Sequence, residues 1–120
     1  MTVRRVKTYT AQTGYVYEYY FVGKRDAFPE DPFAPSTEFI FDVSSDRKTI
    51  FAVSVFLLAR ALETFAADRG RTLSDPEQYA AAKLRLQQAF DEITNMLQDG
   101  RRLTLDAEAL TDLLASVGID

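Results

Sequence analysis

The sequence predicts an α+β fold: a four-stranded antiparallel meander in the N-terminal half, packed on one face by about three C-terminal helices, one of them long. Two observations carry this. Up to about residue 55 apolar and aromatic residues alternate with period two, and from Val55 onward they recur every three or four positions. Composition sets the scale: at 120 residues, 47% apolar and 27% charged, the chain suits one soluble domain spanning residues 1–120. A domain of this size buries roughly two thirds of its unfolded surface.

The first strand is expected over 3–11, "VRRVKTYTA", and the glycine-containing "QTG" then supplies a hairpin turn. The second runs over about 15–22, where Tyr15, Tyr17, Tyr19 and Tyr20 crowd among valine and phenylalanine, residues whose bulk packs well on a pleated surface. "GKRDAFPEDPFAPST", 23–37, has three prolines and several turn dipeptides, and is expected to be a long irregular loop. Strands near 38–44 and 49–55, joined by "SDRK", complete the meander.

Leu58, Ala61, Leu62 and Phe65 then take helical spacing up to a stop at Gly70. "SDPE" from Ser74 forms a capping box, in which the Ser74 hydroxyl and the Glu77 carboxylate exchange bonds with each other's backbone amides. It opens an amphipathic stripe from Tyr79 through Leu86 and Phe90 to Leu97. Over 75–97 that helix would be about 35 Å long, against a radius of gyration of ~14 Å for a chain of this length. Such a helix would project from the domain and offer itself to a partner. Asp106 is placed to cap a last helix carrying Leu110, Leu113, Leu114 and Val117, and Arg101 and Arg102 read as cations suited to a helix C-terminus.

Several chemistries are excluded. Without cysteine there is no disulfide or thiolate, and without histidine there is no Cys/His zinc site, no Ser-His-Asp system and no side chain whose ordinary titration lies near neutral pH. No spacing matches a calcium loop, a phosphate-binding glycine loop, a dinucleotide fingerprint or a nucleophile elbow. No cofactor and no metal are expected. The start lacks the apolar stretch of a secretory signal, and the run Ile50 to Ala59 is about half the roughly 18 residues of a membrane span, so a cytoplasmic protein without a membrane partner is expected. Net charge is −4 but uneven: 1–25 holds five bases against one acid (+4), and 61–120 six bases against eleven acids (−5). Ordinary solvated faces explain this most simply.

Strand parity divides the tyrosines. Tyr15, Tyr17, Tyr19 and Phe21 share a side with Phe39, Phe41, Val43, Phe51, Val53 and Val55, a row expected to meet the helices. Read instead as a platform for single-stranded nucleic acid, the row lacks interleaved bases, and Glu18, Glu38 and Asp42 would repel phosphates, so no nucleic-acid partner is expected. The opposite face carries Val16, Tyr20, Val22, Ile40 and Ile50, too apolar to stand fully in water. These five form a candidate interface, covered by the chain's own loop or last helix or by another protein, of which a second copy is the simplest, and a homodimeric association module is the leading expectation. The alternative is a small-ligand site or enzyme beneath the 23–37 loop, using Glu18, Glu38 and Asp42 with Phe28 and Phe33.

Overall fold

The computed structural model describes residues 5–28 and 35–119. Five strands, β1 (Lys7–Thr10), β2 (Val16–Ala27), β3 (Ser36–Ser44), β4 (Phe51–Leu58) and β5 (Arg102–Leu105), form one sheet in sequence order. The first four make the antiparallel meander, and β5 adds to β4 in parallel after α1 (Ala59–Arg69), α2 (Asp75–Glu92) and the single turn α3 (Met96–Asp99). The helix α4 (Ala107–Ser116) follows.

The β1–β2 turn works because Gly14 adopts φ 95°, a left-handed conformation open to glycine, while its amide bonds the Ala11 carbonyl at 3.0 Å. Beyond it β2 is longer than expected. Lys24 pairs with Phe39, Arg25 with Glu38, and Ala27 with Ser36, so both ends of the anticipated 23–37 loop, residues 23–27 and 36–37, are strand. A bulge between Phe21 and Gly23 absorbs Val22 as an extra residue and keeps Tyr20 and Arg25 on one face. The charges of "GKRD" suit a sheet edge, because β1 pairs only with Val16 to Tyr19.

The inner face is as expected in its centre. Tyr17, Tyr19, Phe39, Phe41, Val43, Val53 and Val55 are buried, joined by Leu103 and Leu105 of β5. Phe90 of α2 stacks on Tyr17 with centroids 4.1 Å apart and rings 4° from parallel, and it also meets Tyr9 and Tyr19. Tyr15 departs from the row: it precedes β2, is 49% exposed, and touches only the margin of the core through Tyr17. Phe21 keeps its side but stays partly open, at the edge where β1 no longer covers β2.

The Ser74–Glu77 capping box forms as expected. The helix it opens ends at Glu92, because Ile93 turns extended and the Asn95 side chain accepts from the Gln98 amide to begin the next turn. Its 18 residues span about 27 Å, inside extents of 44 × 33 × 31 Å. The expected projecting helix is therefore replaced by one that lies within the body, and Met96 is tucked into the core by the break. A Cβ at position 100 would press on the Met96 sulfur and methyl, so a larger residue there would have to displace the buried Met96 side chain. Arg101 and Arg102 follow Gly100 at the end of the single turn α3 and lead at once into β5; their guanidinium groups lie over the rings of Phe51 and Phe56. Among the described residues no helix is long and apolar enough to cross a membrane.

Candidate functional site

All four helices follow β4, and the inner row faces the core that they complete. Among the described residues no helical layer covers the outer face of the sheet. Along β2 and β3 it carries Val16, Glu18, Tyr20, Val22, Arg25, Glu38, Ile40 and Asp42, with Ile50 just before β4 and Ala52, Ser54 and Phe56 on it.

Its apolar members are exposed to different degrees. Ile50 is 62% exposed, Val16 and Val22 are each 45% exposed, and Ile40 and Tyr20 are half-buried. Val6, ahead of β1, adds a further open side chain and lines a cleft of about 50 Å³ together with Glu18, Tyr20, Asp42 and Ile50. Phe56 is the exception, with only 3% exposure beneath Arg102. The sequence reading ended the strand at Val55 and so missed it.

The polar members are held within the chain. The Tyr20 hydroxyl donates to Asp42 Oδ2 at 2.6 Å. Arg47 Nε lies 2.8 Å from Glu18 Oε1. Glu38, buried at 6% exposure, accepts from Arg25 Nε at 2.8 Å on one oxygen and from the Ser54 hydroxyl on the other. Burial pushes the Glu38 carboxyl up, but hydrogen bonds from Arg25 and Ser54 and the charges of Arg25 and Arg102 outweigh it, leaving the group below its ordinary value.

The three acids do not converge. Glu38 and Asp42 are four residues apart on β3, roughly 13 Å at 3.3 Å per residue, and Glu38 sits opposite Arg25 whereas Glu18 sits opposite Ser44. Only Glu18 and Asp42 share the small cleft. Among the described residues no group of three or more acids could hold a metal ion. Phe28 stands largely in water, and Phe33 lies outside the described residues together with the centre of the anticipated lid.

A larger cleft, of about 340 Å³, opens at the end of the sheet where the helix breaks after Glu92, lined by Tyr15, Tyr17, Phe51, Asn95 and Leu97 among others. Its lining contains no acid or base, so it offers a shape without a proton-transfer pair. The cue available in the sequence was Asn95, a capping residue inside an otherwise continuous helical stripe. No protein-family model, curated protein or solved structure matches this chain.

Proposed function

We propose that this protein is a non-catalytic association module, acting as one cytoplasmic domain over residues 1–120, whose outer sheet face pairs with the same face of a second copy. The observation that carries the reading is the open apolar set Val6, Val16, Val22 and Ile50 around Tyr20, on the sheet face that the helices leave uncovered. A second copy of the chain suits this face because two of its three acids are already paired. Glu18 with Arg47 and Glu38 with Arg25 are neutral couples and Asp42 is hydrogen-bonded by Tyr20, so like-charge repulsion between two such faces is reduced to that of Asp42. Those same pairs count against the enzyme reading: acids engaged by cations and hydroxyls are poorly placed to exchange protons with a substrate.

Light scattering on a size-exclusion column tests the proposal. The expected mass is twice the 13.6 kDa of the chain; a monomer at all micromolar concentrations would overturn it. Ile50→Asp and Tyr20→Glu are expected to give folded monomers. A dimer that survives both changes would place its contact elsewhere.

A further inference from the structure

Where β1 stops covering β2, a cleft of about 200 Å³ is lined by Arg5, Lys7, Tyr19, Tyr20, Phe21 and Tyr79. Lys7 stands opposite Tyr19, and the Tyr79 ring meets Phe21 edge-on at 5.0 Å, which gives the cleft a cationic rim and aromatic walls. No carboxylate is among its lining residues. Asp42 is held by Tyr20, Asp91 by the Tyr9 hydroxyl and the Gln12 amide, and Asp75 by Lys24. Arg5, Lys7 and the nearby Lys83 of α2 form no ion pair with an acid among the described residues, although the chain as a whole is acidic. The excess of positive charge in residues 1–25 is thus focused in part on one concave place.

We infer that this cleft binds a small anion that joins a phosphate or carboxylate head to a flat ring, the head between Arg5 and Lys7 and the ring against Phe21 and Tyr79. The chemistry of the lining fits each part. Guanidinium and ammonium groups give charge-assisted hydrogen bonds to the head. The Tyr19 hydroxyl accepts from Gln87 Nε2 at 2.9 Å, which leaves its own proton available to donate. Burial holds the Tyr79 phenol above its ordinary value, so it stays protonated and able to donate. The Lys83 ammonium is drawn below its ordinary value by burial first and by the charge of Lys7 second, a penalty that a bound anion relieves. The inference does not rest on the dimer: the head and ring contacts are made by Arg5, Lys7, Phe21 and Tyr79, and of the cleft's lining only Tyr20 also belongs to the proposed dimer face.

Calorimetric titration with phenyl phosphate and with benzoate, each at millimolar concentration and low salt, tests the site and distinguishes the two head groups. Binding of at least one is expected, with inorganic phosphate weaker and phenol undetectable. Lys7→Gln and Arg5→Gln, both at exposed positions, are each expected to weaken binding about tenfold, whereas Arg60→Gln on α1 leaves it unchanged. Tyr79→Phe separates the hydroxyl from the ring and is expected to cost a few-fold, about the worth of one hydrogen bond. Failure of both probes to bind would overturn the inference. So would an Arg60→Gln loss as large as that of Lys7→Gln, which marks diffuse charge, or inorganic phosphate binding as tightly as phenyl phosphate, which leaves the ring walls without a role.

Discussion

Tyr19 and Tyr20 are neighbours on one strand and end in opposite surroundings. Tyr19 faces the helices, packs against Phe41 and Phe90, and has its hydroxyl met by Gln87 from α2. Tyr20 faces outward, and its hydroxyl is met by Asp42 from the adjacent strand. The inner face is thus completed by a second layer, while the outer face pairs its polar groups with near neighbours and, among the described residues, leaves Val16, Val22 and Ile50 open. A residue type alone does not identify a core position; the layer that arrives to cover it does.

The contrast can be broken most severely from the inner side. Phe90→Ala empties the space between Tyr9, Tyr17 and Tyr19 and is expected to cost about 3–5 kcal/mol in denaturant unfolding; a cost under about 1 kcal/mol would mean the aromatic layer is not what holds α2 down. On the outer face Glu38→Ala removes the acceptor of Ser54 and Arg25, for an expected loss of about 1–2 kcal/mol, smaller because Arg25 is free to turn to water. Its pH signature is distinct. A carboxyl drawn below its ordinary 4.5 contributes stability that is present above that value and fades as the pH falls through the folded-state value. Glu38→Gln should therefore flatten part of the acid limb of a stability profile. Glu77, drawn down to about 2 by Arg71 first and the Ser74 amide second, accounts for another part.

At the alkaline end the inner margin is expected to yield. The hydrogen bond to Asp91, with burial and the Asp91 charge behind it, raises the Tyr9 phenol to about 12. Its contribution is intact below pH 10 and is lost as the pH climbs from there through about 12, so Tyr9→Phe should be the less pH-sensitive protein between pH 10 and 12 by denaturant midpoint. The smallest effect belongs to Ile50→Asp, expected to change the unfolding free energy of the protomer by no more than about 0.5 kcal/mol when wild type and variant are compared at a dilution where both are monomeric. A larger loss under that condition would mean that Ile50 is covered within its own chain.

Much of this arrangement was legible in the residues. Period-two alternation placed Tyr17, Tyr19, Phe39, Phe41 and Val53 correctly, and the caps at Ser74 and Asp106 formed as their side chains require. What escaped reading was structure whose local composition argues against it. Gly23 to Asp26 reads as turn, yet pairing with the strong strand β3 carries it along as an edge. Residues 93–97 continue an apolar stripe, but β-branched Ile93 and Thr94 followed by Asn95 let the helix stop. "RLTL" is only four residues long and was not expected as a fifth strand; its place beside β4 is set by pairing across the 43 residues 59–101, which no local pattern announces. The cationic cleft needed the third dimension, because Tyr79 and Arg5 lie far apart in sequence.

The parallel strand β5 has a further consequence, for the order in which the chain assembles. Each of the first four strands finds its neighbour already made as the chain emerges from synthesis, since the sheet runs in sequence order. β5 does not: the 43 residues 59–101, which include three helices, separate it from β4. Until they dock, β4 presents a bare edge bearing Phe51, Val53, Val55, Phe56, Leu57 and Leu58, an aggregation-prone sequence in any unfinished sheet. Topology alone therefore predicts that misassembly is favoured most in the interval between the synthesis of residue 58 and that of residue 105.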